Sequence, residues 1–170
     1  MSVRPIRLLG DPVLRRRAKR VPQVDASIQR LIDDMIDSMR EASGVGLAAP
    51  QIGVSLRVIV IEVPEEEVVA LINPEIVKRS GQRRLDEGCL SIPGYRAEVS
   101  RSVSVVVKGL DRQGRPIRIK AKDDLLAHAL EHEIDHINGT LYIDHLESLD
   151  ELIPIEPALG EEEEEVTAGP

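Results

Sequence analysis

The chain has 170 residues, 42% of them apolar and 31% charged, the balance of one soluble globular domain long enough to bury a core. With no Trp, no Phe and two Tyr (Tyr95 and Tyr142), that core must be built from Leu, Ile, Val and Ala, and nucleic-acid recognition by base stacking is excluded. The net charge of −8 is a property of the C-terminus: nine acids and no Lys or Arg occur from Glu147 onward, so the first 146 residues are near +1.

Residues 1–17 are Arg-rich and lack the apolar stretch of a secretory signal. Between Arg4 and Arg20 seven bases face one acid, Asp11. This reads as a solvated surface segment, with a patch for a polyanion such as ribosomal RNA as the sharper alternative. Residues 25–42 predict an amphipathic helix, because Ile28, Leu31, Ile32, Met35, Ile36 and Met39 recur at helical spacing and Asp25 or Ser27 can cap it. The Gly-rich stretch 43–53 predicts a loop. Residues 56–63 and 68–72 predict strands, the second broken by Asn73-Pro74. The run 68–72 is far too short to span a membrane. Cys89, the one cysteine, forms no internal disulfide and fits a reducing, cytoplasmic setting. Residues 103–107 and 117–119 predict a hairpin turned at 111–114, and 123–138 a second helix capped by Asp123 or Asp124 and ended before Gly139. A short third helix is expected within 146–155. Beyond Pro157, five consecutive glutamates have too little apolar surface to offset the entropy of ordering. The expectation is therefore one domain over 1–157 and an acidic, disordered tail over 158–170. The fold class is α+β, with short antiparallel strands packed around the second helix and an additional N-terminal helix.

The second helix carries His132-Glu133-Ile134-Asp135-His136, an HExxH pattern. Positions i and i+4 share one helix face, so both imidazoles can reach one cation, and the intervening Glu lies about 100° round the helix, close enough to address a water on that cation. His128 adds a third histidine in register. Residues eight apart are about 12 Å apart along a helix, so the three cannot share one tetrahedral site. Ala129 follows His128 where Glu133 follows His132, so the pair with a neighbouring base is His132 and His136. His128 then lines the site or is partly buried. Asp135 is either an outer acceptor for a ligand or a surface charge.

A catalytic cation needs a third protein ligand. An extended HExxHxxGxxH pattern would place it where this chain has Tyr142. Glu156 lies between Pro154 and Pro157, a poor place for a helix-borne ligand. Cys89, flanked by Gly88 and followed by Pro93-Gly94, is the remaining strong candidate.

Three segments together resemble the peptide deformylase family: Gly44-Val45-Gly46-Leu47-Ala48-Ala49-Pro50-Gln51 matches GxGLAAxQ, Glu87-Gly88-Cys89-Leu90-Ser91 matches EGCLS, and His132-Glu133-Ile134-Asp135-His136 with Gly139 matches HExDHxxG. The resemblance covers about residues 4–150. It implies removal of the formyl group from the N-terminal methionine of new polypeptides. It further implies one divalent metal on Cys89, His132 and His136, with Fe²⁺ favoured over Zn²⁺, Ni²⁺ or Co²⁺. Glu133 would be the general base, and the Gln51 amide and Leu90 backbone N–H would hold the oxyanion. The substrate would lie as an added strand along Val45, Gly46 and Gly88, with its methionine beside Val45, Leu85, Leu125, His128 and Ala129 and with Arg96 toward its carbonyls. The implied partners are N-formylmethionyl nascent peptides and, transiently, the ribosome; no membrane and no sequence-specific nucleic acid is expected. The chain departs from the family at Glu131, where Gln is usual, and at His128 and Ala129, where larger apolar residues are common. The alternative reading of the same motif is an HExxH zinc endopeptidase, indifferent to Cys89.

Overall fold

The computed structural model describes residues 2–155, so the boundary expected at 157, the acidic tail and Glu156 lie outside the described residues. Two helices, α1 (Ala26–Glu41) and α2 (Leu125–Ile137), enclose a five-stranded antiparallel sheet of order β1-β2-β3-β6-β7. Its strands are β1 (Gly46–Ala48), β2 (Val58–Ile61), β3 (Val69–Ser80), β6 (Ser104–Leu110) and β7 (Pro116–Lys122). A second sheet holds β4 (Arg83–Cys89), β5 (Ile92–Arg101) and β8 (Ile153–Pro154).

Strand β2, Val58–Ile61, is apolar throughout because both its faces are covered. Val58 and Val60 pack with Ile28, Leu31, Ile32 and Met35 of α1, while Ile59 and Ile61 pack with Leu130, Ile134 and Ile137 of α2. Each such side chain, fully buried, contributes about 1.5–3 kcal/mol. The α2 helix crosses all five strands, and its apolar face, which lies opposite the histidines, meets them. Its start is fixed by Asp124, whose side chain accepts the Ala127 N–H at 2.8 Å. Its end is fixed at Gly139 (φ +80°), where a Cβ would lie 2.7 Å from the Arg15 carbonyl oxygen.

Four expectations are corrected. The stretch 43–53 is not simply a loop: it holds β1 and a 3₁₀ turn over Ala49–Ile52. Asn73-Pro74 does not end its strand. Asn73 adopts φ +54° and clamps both backbone groups of Val21, the register slips between Ile72 and Glu75, and β3 continues to Ser80 through this bulge, where the missing proline N–H is tolerated. The β4–β5 hairpin, absent from the sequence reading, carries charges inward in ion pairs and so lacks an apolar alternation. The third helix is reduced to one 3₁₀ turn, Leu149–Glu151, after which the chain pairs Ile153 with Arg96 of β5; Pro154 has no N–H with which to continue a helix. Among the described residues no helix is long and apolar enough to cross a membrane.

Candidate metal centre and catalytic cleft

The hairpin β4–β5 presents two residues toward α2. Glu87 and Cys89, two apart on one strand, reach successive turns of the helix. Cys89 Sγ lies 3.3 Å from His136 Nε2, and His136 Nε2 lies 3.2 Å from His132 Nε2. The three donor atoms all fall within 4.8 Å of one another.

Glu87 decides the protonation of this cluster. Its side chain is 2% exposed. Burial alone would raise its pKa, but hydrogen bonds from His128, His132 and Arg101 hold it well below the usual carboxylate range. An ionised carboxylate only accepts, so the proton shared with His132 sits on Nδ1, and Nε2 is the nitrogen that faces Cys89 and His136. Two imidazole nitrogens and a sulfur converging at such distances share either a proton or a cation. A Cys and two His suit a divalent transition metal, and tetrahedral bonding would set these atoms roughly 3.4–3.6 Å apart. The residues present therefore fit the implied metal. Arg101, 3% exposed, supports Glu87 through two bonds of 2.9 and 2.6 Å and reaches Asp135 at 2.7 Å. Asp135 also accepts from His145 at 2.8 Å, so it holds Arg101 in place rather than bonding to either metal-facing histidine.

Glu133 is buried beside the cluster. Burial pushes its pKa up to about 7, where a carboxylate can both take and return a proton near neutrality. Its Oε1 is enclosed without a protein partner, and the carboxylate packs so closely on Gly46 that a Cβ there would lie 2.6 Å from Oε2. Gln51 is oriented by its own loop: Oε1 accepts the Ala48 N–H at 3.0 Å, which turns Nε2 to Ser91 Oγ at 3.1 Å and to within 3.7 Å of Cys89 Sγ. Leu90 lies in the two-residue turn between the paired Cys89 and Ile92.

These groups open on a cleft of about 400 Å³. The polypeptide deformylase family model matches residues 3–152. The chain belongs to the polypeptide deformylase family. Deformylases remove the formyl group from the N-terminus of new polypeptides, and the endopeptidase alternative gives way. The chain is 57% identical over 158 residues to a peptide deformylase of Dehalococcoides mccartyi strain CBDB1, covering 92% of this chain and 94% of that one. A crystal structure of a peptide deformylase from Legionella pneumophila superposes with a TM-score of 0.85 at 44% identity, covering 99% of each chain. One from Synechococcus elongatus in complex with actinonin superposes with a TM-score of 0.82 at 43% identity, covering 86% of this chain and 80% of that one.

In this deformylase cleft the structure gathers Val45, Gly46, Gln51, Gly88, Cys89 and Leu90 on one side and Leu125, His128, Ala129, His132 and Glu133 on the other, with His136 enclosed behind them. Two expected residues do not line it. Leu85 sits two residues along β4 from Glu87, paired with Val99, and Arg96 is half-buried and held by Asp86 at 2.9 and 3.0 Å. Glu131 faces away from the cleft, accepting from Ser102 N–H, Ser102 Oγ and Arg79. Glu87 and Arg101 have no role that the sequence alone assigns. Glu87 stood inside a recognised motif, next to Gly-Cys, which was its one signal. Arg101 had none.

Proposed function

We infer that this deformylase acts through a divalent metal held by Cys89, His132 and His136, with Glu133 as the base that hydrolyses the formyl group of N-formylmethionyl peptides. The convergence of one thiol and two imidazole nitrogens, with a buried carboxyl beside them, is the observation that carries this reading. A metal bound there supplies an activated water and polarises the formyl oxygen. One Cys and two His suit Fe²⁺, Zn²⁺, Ni²⁺ or Co²⁺ alike, and the resemblance to the family is what favours Fe²⁺ among them. Glu133 takes the proton of the attacking water and passes it to the departing amine, which leaves as the free N-terminus. The carboxamide of Gln51, locked with its N–H₂ toward Cys89, and the Leu90 N–H stabilise the oxyanion. A donor of this kind typically contributes on the order of a hundredfold or more.

The peptide lies along Val45, Gly46 and Gly88, where main-chain pairing accepts any sequence after the first residue. Its first side chain enters between Leu125, His128 and Ala129. Nascent chains meet the enzyme in the cytoplasm, during transient contact with the ribosome. Arg17, Lys19 and Arg20, exposed and in no ion pair among the described residues, suit a polyanionic surface. Glu133→Ala tests the central assignment: metal content should stay at the wild-type level while formate release falls at least a hundredfold. Full activity in that variant would remove Glu133 from the base role.

A further inference from the structure

The five-stranded sheet carries α2 on one face, and α1 covers part of the other, packing with Val58, Val60, Ile72 and Leu110. Beyond those residues the second face is open. Directly opposed residues of antiparallel strands point to the same side. The register therefore sets Glu75, Lys108 and Arg118 in one row, Lys78, Val106 and Lys120 in the next, and Ser80, Ser104 and Lys122 in a third. All five bases are exposed, and Glu75, 3.9 Å from Lys108, is the one acid in these rows. Lys78, Arg118, Lys120 and Lys122 stand in no ion pair among the described residues. Lys108 and Arg118 oppose each other across the strands, where like charges destabilise a sheet. Arg20 meets them around a groove of about 520 Å³ with Leu110, Pro116 and Ile117 in its lining, so the basic N-terminal segment and the sheet face are continuous. Bases on an edge strand deter strand pairing, which accounts for Lys120 and Lys122 on β7 but not for Lys78 and Lys108 on inner strands, nor for Arg20.

We propose that the open basic face of β3, β6 and β7, together with Arg20, docks the phosphate backbone of RNA without regard to sequence. Arg118, Lys120 and Lys122 recur about every 6.7 Å along β7, a linear array that suits a chain of phosphates better than a single one. The chain has no Trp or Phe, Tyr142 is buried and Tyr95 lies at the cleft, so this face offers no ring on which a base can stack. The sheet separates the face from α2, and bound RNA leaves the cleft open to a formyl peptide. The proposal extends the polyanion reading of Arg17, Lys19 and Arg20 to the sheet and is independent of the metal site.

The test titrates the full-length, metal-loaded enzyme with a labelled single-stranded RNA of about twenty mixed-sequence nucleotides. Log affinity against log salt should have a slope of about −3 or steeper, as four or more phosphate contacts require, which weakens binding roughly fiftyfold between about 50 and 200 mM. In Lys108→Gln/Arg118→Gln the affinity at about 50 mM salt should fall at least tenfold and the slope should flatten by about 1.4, with formate release from a free formyl peptide unchanged. Arg40→Gln/Arg84→Gln removes the same charge from elsewhere on the surface and should bind as the wild type does. Bound RNA should also shield Lys78, Lys108 and Lys120 of the wild type from acylation, read by mass spectrometry, which needs no variant. Shielding confined to Lys19 overturns the proposal while leaving the N-terminal segment as the polyanion contact. Equal losses in the two double variants overturn it, as does a preference for phosphatidylglycerol vesicles over the RNA. A protein that binds RNA in the expected way but releases no formate supports this proposal and contradicts the metal-site reading.

Discussion

The Glu87 carboxylate accepts the Nδ1 proton of His132, fixing the tautomer of the residue that faces Cys89 and His136. The same carboxylate is clasped by Arg101 in a pair almost wholly removed from solvent. Outer partners of this kind typically govern metal affinity by 10–100-fold. Glu87→Ala should therefore weaken metal binding by that factor in a chelator competition. It should also lower stability by about 3–5 kcal/mol, because it leaves Arg101 buried with half its partners. Wild-type metal affinity in the variant would mean that His132 needs no such support.

Cys89→Ser replaces the sulfur at the end of β4 with a hydroxyl oxygen. The exchange should lower metal affinity or change which divalent ion is preferred, as read by competition between Fe²⁺, Co²⁺ and Zn²⁺. Unchanged affinity and preference would remove Cys89 from the ligand set.

Gly46 owes its lack of a side chain to Glu133. With a Cβ only 2.6 Å from Oε2, Gly46→Ala must displace the carboxylate. Misplacing a reacting group by about 1 Å costs about a hundredfold, so kcat should fall by at least tenfold while metal content is retained. Normal kcat would show that Glu133 has room to act from elsewhere.

Asp34, buried on α1, binds the N-terminal segment through the Ser2 N–H and the Arg4 guanidinium. Burial would raise its pKa, but these hydrogen bonds help carry it from 3.8 down to about 2. A folded-state pKa below the unfolded value stabilises the protein fully above about pH 4, and that contribution is lost as the pH falls toward 2. Urea midpoints should therefore separate wild type from Asp34→Asn at pH 6, and the gap should close between pH 4 and 2. A gap independent of pH would contradict this assignment.

The legible parts of the chain were those where the pattern and the chemistry agree. The α2 helix was legible from its HExxH pattern, its Asp124 cap and the Gly139 stop, and the structure sets His132 and His136 opposite Leu130, Ile134 and Ile137. Strand β2 was legible because it is buried on both faces. The β4–β5 hairpin was not, because its inward positions include Glu87 and Arg101, and each looks like a surface residue until its partner is known. Leu85 and Arg96 do not line the cleft, because motif order gives which residues approach the metal but not where the strand carries the next ones.

The most direct measurement is formate release from formyl-Met-Ala-Ser by the wild-type protein, purified without oxygen and loaded with Fe²⁺. A thiolate beside that ion is open to oxidation, and exclusion of air keeps the donor set intact. Rapid, metal-dependent release of one formate per peptide is the predicted result. A folded, metal-loaded sample that released none would contradict the account.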